Sequence, residues 1–541
     1  MQRIASALSL FVVLAVGAVG CDGDSTPADA GPDSGPADAG SPDAGPPDAG
    51  PITDLCDPSA DPGPFPAPDA WSNAGPGGPT TTFSSDALFT NCALLDGGQR
   101  DTTDHHNLVA MFDGYLLMPW APEFGGGGLS FFAFDEPCSP TMVGTGYSDT
   151  MRETHSIGIS TRDGAWAVVD QMTALLVEGA GGIQFWDISD PTDPRHEVDL
   201  ELPGFLYPDA YARVSLSTFW QDPYVYVGGA NNGVWIVDAS NPRDPRFVAQ
   251  YTPEPLMRVG QVQALGNLLV VTAAEGPRTI LLDISVPDAP EVIAGGDFLA
   301  GTADGRTREA YFSSFVNGHV FYANKEGGGG LFVWDVTDPE NPVHAGENIS
   351  DGNGGYVFVQ GDYAFVGESR FAAIYDISDL ANITEVTRLD LEGDLDTVTP
   401  IGNVVVLSVD DDALEDEGSA IAAWQETPDA RAPSVSFVWP ADGATGLRTT
   451  SRFGVGFDEL VDIRSAHPGS LRLYRTDAAT PDEGRVPVVV STQETLVNVH
   501  PTCALEPNTG YTLEVMAGGV ADFNGNTLAE SRTLTFETGP E

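Results

Sequence analysis

Basic residues are scarce: 23 Lys and Arg stand against 79 Asp and Glu, a formal net charge of −56 over 541 residues. An excess of this size repels phosphate backbones and anionic headgroups alike, which argues against nucleic-acid binding and against a polybasic membrane contact. Cysteine is scarce as well, with five in the chain, and none stands in a CxxC pair or a Cys/His cluster with zinc spacing. Enzyme signatures are missing: there is no GxSxG, no HExxH, no P-loop, and no dinucleotide fingerprint that follows a strand and opens a helix. What is present is ample core material, 41% hydrophobic residues including 26 Phe, 14 Tyr and 9 Trp. The length exceeds one ordinary domain.

At the amino terminus Arg3 precedes an apolar run, Leu8 to Val16, too short to span a bilayer, and then the small residues Gly17 to Gly20. That order is an export signal. The sequence Ala18-Val19-Gly20-Cys21 resembles the bacterial lipobox, with Ala18 where Leu is commoner. The resemblance implies cleavage after residue 20 and a diacylated Cys21, an acyl anchor holding the rest of the chain at a membrane surface. Residues 21–80 form an Asp/Ala/Gly/Pro-rich tether, expected to be disordered because it has nothing to bury. No other segment is long and apolar enough to cross a bilayer, so the body is expected wholly outside the cytoplasm, on the outer membrane or cell surface. Of the four remaining cysteines, Cys92 and Cys138 both lie near the start of the folded body and are the favoured bridge. Cys56 and Cys503 stay undetermined.

Five segments share an apolar strand that ends in Asp before a turn: Ile183 to Asp187, Val234 to Asp238, Ile280 to Asp283, Leu331 to Asp335 and Ala373 to Asp376. Their aspartates are 51, 45, 52 and 41 residues apart. Short β-rich runs at such a period are propeller blades of about four strands, and degenerate copies at Leu129 to Asp135 and Ser419 to Trp424 bring the number to seven. Upstream of each stands a strand, a Gly/Asn/Asp turn and a second strand, clearest in Val357 to Val366. One such wedge cannot bury both faces, so the blades must close into a ring.

The strand-Asp-turn pattern resembles the LVIVD repeat of bacterial and archaeal cell-surface proteins, which implies a β-propeller and no particular activity. Recurrence in every blade makes Asp187, Asp238, Asp283, Asp335 and Asp376 turn-forming residues rather than catalytic or metal-binding ones. From Ala432 to Gly539, Pro440 to Gly443, Phe457-Asp458-Glu459, Leu505 to Tyr511, Asp522 to Asn526 and Phe536 to Thr538 resemble the SbsA-type bacterial Ig-like domain, a β-sandwich. The expected chain is therefore all-β: signal peptide 1–20, tether 21–80, seven-bladed propeller 81–430 and Ig-like sandwich 431–541. Asp522 to Asn526 has a misplaced Gly for a calcium loop and Thr533 where Glu should stand, so it is expected to be a tight turn.

Counting back from hairpin turns at Gly114, Gly164, Gly266, Gly318 and Gly402 puts His106, His155, Arg258, Arg308 with Glu309, and Asp396 at the mouth of the central channel, with Arg213 beside them. Such a ring suits an anionic or carbohydrate-like ligand. No cofactor and no metal is expected, and the acidic run Asp410 to Glu417 is expected to be a solvated loop. The leading functional expectation is a non-catalytic surface lipoprotein that contacts an extracellular protein or glycan, touching the membrane only through its lipid. The alternative is an exported hydrolase or lyase working at the mouth through His106, His155 and Arg308.

Overall fold

The computed structural model of the chain describes residues 62–71, 75, 77–95, 108–121, 126–171, 182–205, 214–325, 328–409 and 419–540. The signal peptide, Cys21, Cys56, His106, Arg213 and the run 410–417 lie outside them. Among the described residues there is no α-helix, and two 3-10 turns at Leu380–Asn382 and Ile463–Ser465 are the helical segments.

Five blades are separate four-stranded antiparallel meanders, each running in sequence order from the inner to the outer strand. Blade 1 is Ala110–Phe112, Tyr115–Trp120, Gly127–Ala133 and Thr141–Ser148; blade 2 is Ile157–Ser160, Trp166–Asp170, Gly182–Asp187 and Arg195–Glu201. Blade 3 is Ser217–Gln221, Tyr224–Gly228, Val234–Asp238 and Arg246–Tyr251; blade 4 is Val259–Leu265, Leu268–Ala273, Arg278–Asp283 and Glu291–Leu299. Blade 5 is Ala310–Val316, His319–Asn324, Gly330–Asp335 and Val343–Ile349. Blades 6 and 7 share the long strand Thr384–Ile401: its first half pairs with Ser369–Asp376 as the outer strand of blade 6, and its second half pairs with Val404–Val409 as the inner strand of blade 7. Val357–Gln360 and Tyr363–Gly367 complete blade 6.

Blade 7 takes its outer strand from the start of the body. Asn91–Leu95 pairs antiparallel with Ser419–Ala423, so the chain closes the ring on itself. Closure pairs the strand Ser419–Ala423, which would otherwise be a free edge, and leaves each blade only a short outer edge. The Cys92–Cys138 disulfide ties this closing strand to blade 1. Buried apolar clusters fill the joints, as between blades 1 and 7 (Met111, Leu116, Val404, Val406, Ile421) and blades 5 and 6 (Phe321, Val333, Val359, Val366). These are the alternating β-branched and aromatic positions of the repeats, fully buried because each blade faces another on both sides.

The repeated aspartates end the third strand of their blades and accept the N–H two residues on. Asp187 Oδ1 binds Ser189 N at 3.1 Å, and Asp238, Asp283, Asp335 and Asp376 bind Ser240, Ser285, Thr337 and Ser378 at 2.8, 2.7, 2.8 and 2.9 Å. A carboxylate that folds the chain back in this way is a turn device.

The Ig-like domain has two four-stranded sheets packed over Val455, Phe457, Leu473, Val499, Leu513 and Leu534. It sits against the hairpin-turn side of the propeller. Gly266, with a φ of 58°, turns the blade 4 hairpin directly under the Ig-like domain, and a Cβ there would stand 2.3 Å from the Trp439 carbonyl oxygen, so the position admits only glycine.

One boundary needs correction. The expected disordered tether reached residue 80, yet part of residues 62–80 lies along the body. Phe65 N donates to Asp482 Oδ1 at 3.0 Å, Arg485 Nη1 donates to the Pro62 carbonyl at 2.7 Å, and Gly78 N donates to the Phe523 carbonyl at 2.8 Å. The guanidinium of Arg485 covers the Phe65 ring at 4.8 Å. The composition of this stretch has few apolar groups to bury, but its backbone carbonyls are acceptors, and the arginines of the Ig-like domain use them.

Candidate functional site

The inner strands of the blades begin on the face of the propeller opposite the Ig-like domain, where the expected mouth residues were placed. His155 is there but is not presented to solvent: it is 0% exposed. Its ring lies edge-on to Tyr311, Phe312 and Tyr356, with centroids 6.2, 5.5 and 6.4 Å away. Its Nε2 meets Glu153 Oε1 at 2.9 Å, and the Tyr356 hydroxyl donates to its backbone carbonyl at 3.0 Å. Under it Asp170 accepts from His155 N, Ser156 N and Thr154 Oγ1 at 2.9, 2.7 and 3.0 Å. Burial pushes the Asp170 carboxyl up, against the pull of His155 and these donors. The axis of the ring is thus packed. Leu108, Val214, Leu216, Phe312, Tyr356, Phe358 and Val398, from five blades or their approaches, share one buried cluster.

Three charged residues at this end form ion pairs with one another. Arg258 forms an ion pair with Glu275, and Lys325 Nζ approaches the same carboxylate at 3.8 Å while lying 3.8 Å over the Tyr311 ring. Arg308 Nε reaches Thr302 Oγ1 at 3.5 Å, and the Glu309 carbonyl accepts Lys325 N at 2.9 Å. Asp396 is 6% exposed and its carbonyl accepts Tyr356 N at 2.9 Å. The structure thus engages Arg258 with Glu275, Arg308 with Thr302 and the Glu309 carbonyl with Lys325, but it withdraws His155 and Asp396 into the packing. Period counting places a residue along a strand; it does not show that aromatic rings from blades 5 and 6 will cover it.

The opposite end of the channel is closed by the Ig-like domain. The turn between its strands Val488–Gln493 and Leu496–Pro501 enters the ring: Gln493 Oε1 accepts Trp220 N at 3.0 Å, Gln493 Nε2 donates to the Thr218 carbonyl at 2.9 Å, and Glu494 Oε2 accepts Gln263 Nε2 at 2.7 Å. Between turn and ring lies an apolar cavity of about 50 Å³ lined by residues such as Ala110, Ile159, Phe358, Ile401, Leu460 and Glu494. Nothing in the repeat pattern announced this plug. Only Gln493-Glu494, polar at the tip of a hairpin, marked it in the text, and tips are ordinarily polar.

Glu494 makes the plug pH-sensitive. Burial pushes its carboxyl up to about 7, with the Gln263 bond opposing. An unfolded Glu titrates near 4.5, so through the window between these values the folded chain keeps a proton that the unfolded chain has lost. Stability therefore falls as pH rises from about 4.5 to 7. Glu494→Gln is expected to flatten that slope and to raise stability at pH 8 by on the order of 1 kcal/mol, read from melting curves at pH 5 and pH 8.

Comparison with known proteins matches residues 221–253 and 351–390 to the LVIVD repeat, and residues 429–538 to the bacterial Ig-like domain. The first two matches fall on blades 3 and 6. No curated protein matches the chain. Among solved structures it is similar to BamB from Moraxella catarrhalis, at 14% identity and a TM-score of 0.41, over 63% of this chain and 99% of that one. It is similar also to the WD40 beta propeller domain of Doa1, at 12% identity and a TM-score of 0.43, over 63% and 97%. A putative 6-phosphogluconolactonase from Bacteroides fragilis matches at 10% identity and a TM-score of 0.41, over 52% and 83%. The chain carries LVIVD repeats within a seven-bladed β-propeller and ends in a bacterial Ig-like domain.

Proposed function

We propose that this protein is a non-catalytic binding or scaffold module, displayed at the cell surface by a lipid on Cys21, whose propeller face opposite the Ig-like domain contacts an extracellular protein or glycan. The observation that supports display over catalysis is the pairing at that face. Arg258 and Lys325 share the one carboxylate of Glu275 above a floor of packed rings, and His155 is held beneath it by Glu153. A catalytic group must reach the reacting atom in a site that admits substrate. A surface of charged groups held over a packed, rigid floor instead suits polar recognition, where complementary potentials select a partner.

Two measurements test the reading. Grown with labelled palmitate, cells making the full chain are expected to incorporate label, and Cys21→Ala to lose it and release the protein from the membrane fraction; label in the variant removes the anchor. On a glycan array and against immobilised surface proteins, the double variant R258A/K325A is expected to bind at least tenfold more weakly while melting within a few degrees of the parent. Turnover of a chromogenic ester or glycoside that disappears in His155→Ala or Arg308→Ala would establish the enzyme alternative instead.

A further inference from the structure

Where the connection after blade 7 meets the Ig-like domain, three carboxylates come together. Asp429 lies on the connection, Glu459 follows the Ig-like strand Phe453–Phe457, and Asp522 opens the turn to Asn526; one oxygen of each lies within 4.8 Å of the others. Acidic groups often cluster without consequence on a surface, but two of these three are inside and the third, Asp429, is half-buried. Glu459 is 2% exposed and Asp522 3%. Asp522 and Asp429 are held in place: Asp522 Oδ1 accepts Asn524 N and Asn526 N at 2.9 and 2.8 Å, and Asp429 Oδ2 accepts Gln360 Nε2 from blade 6 at 2.9 Å. Glu459 has no such support. Its Oε1 is buried without a hydrogen-bond partner, and one of its carboxylate oxygens lies within 4.8 Å of those of the other two. Asn524 Oδ1 is likewise buried and unpartnered, although its Nδ2 donates to the Pro79 carbonyl at 2.8 Å.

These groups line a cavity of about 10 Å³, with Gln360, Pro400 and Gly402 of the propeller on one wall and Leu460, Phe523 and Asn524 of the Ig-like domain on the other. That is room for one particle the size of a water molecule. The surrounding charge is one-sided. Asp458 adds a fourth carboxylate, and the guanidinium of Arg431, which opposes them, is committed to Asp458. Burial first, and then Asp429, Asp522 and Asp458, push the Glu459 carboxyl up to about 9, with Arg431 opposing; burial, seconded by Asp429, pushes Asp522 up to about 6. A buried carboxylate in this position needs either a proton or a cation.

We propose that Asp429, Glu459 and Asp522 bind a calcium ion that locks the Ig-like domain to the propeller. The donor set is oxygen only, which selects a hard cation over zinc or copper. The ligands come from three separate segments, with the Asn524 amide oxygen beside them, an irregular arrangement that calcium accepts and the strict octahedron of magnesium does not. The turn expected at Asp522 to Asn526 is present, and it orients Asp522 toward the ion. A single-loop calcium motif is absent because the ligands are far apart in sequence.

The test uses the full chain, stripped with EDTA and titrated with Ca²⁺ or Mg²⁺ by calorimetry and thermal melting. One Ca²⁺ is expected to bind per chain and to raise the melting temperature by several degrees at 1 mM, with Mg²⁺ giving a markedly smaller shift. Glu459→Gln keeps the shape, so the variant is expected to fold and to melt in EDTA no lower than the parent, while calcium affinity falls at least tenfold. Asp522→Asn is expected to weaken calcium in the same direction. A variant with Asp410, Asp411 and Asp412 all changed to Asn should keep the full calcium response. Absence of heat and of any melting shift at 10 mM Ca²⁺ overturns the proposal, as does a calcium response that survives Glu459→Gln or vanishes with the 410–412 variant.

Discussion

Arg452→Ala is expected to destabilise the folded body by about 3–5 kcal/mol and to split its unfolding into two transitions, the Ig-like domain first. Arg452 is 0% exposed although it belongs to a domain surface. Its Nη1 donates to the Tyr226 hydroxyl at 3.0 Å and to Gln221 Oε1, and its Nη2 donates to the Ile284 carbonyl, so one guanidinium joins the Ig-like domain to blades 3 and 4. Its own backbone N–H is taken by Asn267 Oδ1 at 3.0 Å, and the neighbouring Asn498 bridges Gly266 N at 2.7 Å and the Ala264 carbonyl at 2.9 Å. Alanine leaves these buried acceptors without donors and opens a void, both of which are costly. Lysine keeps the charge but not the fork that reaches three acceptors, so it is expected to recover less than half of the loss. Calorimetry and limited proteolysis of the connection at residues 425–434 check the result; one transition at the parental temperature would mean that the interface does not depend on this residue.

Removing the Cys92–Cys138 bridge is the second large effect. The bond spans 46 residues of sequence, and a closure of that length constrains the unfolded chain by about 2–4 kcal/mol. Here the consequence is also topological, because Cys92 sits on the strand that seals the ring. In C92A/C138A the pairing of Asn91–Leu95 with Ser419–Ala423 must hold through backbone bonds and the packing of Ala93 and Leu95. A proline at position 93, added to that double variant, removes an N–H from the strand and is expected to free the edge of blade 7. The doubly weakened chain should then self-associate, because an unpaired strand edge is a template for pairing. Size-exclusion chromatography and melting curves in oxidised and reduced buffer measure both steps. Equal melting temperatures for parent and C92A/C138A would show that the bridge contributes nothing to closure.

Much of the architecture is legible in local text. A strand of β-branched and aromatic residues that stops at Asp238 and turns at Ser240 carries its own instruction, since the Asp238 carboxylate bonds an N–H only two residues away. Repetition of that unit implies blades, and blades imply a ring. The Ig-like domain is legible for the same reason: Phe457, Leu473 and Leu513 alternate within strands that are each short and bounded by turns. The mouth was legible only as a position. His155 and Asp396 stand at the beginnings of inner strands as counted, but whether such residues meet solvent depends on Tyr311, Phe312 and Tyr356, which come from other blades.

Secondary structure, blade number and the turn chemistry of the repeated aspartates follow from interactions between residues a few positions apart, and so the order of residues suffices to establish them. Three features do not follow in that way: closure of blade 7 by Asn91–Leu95, the Gln493-Glu494 plug in the channel, and the meeting of Asp429, Glu459 and Asp522. Each joins segments that are remote along the chain. The first is a backbone strand pairing and the other two rest on side chains, but all three exist only once the hydrophobic joints between blades and domains have set the distances.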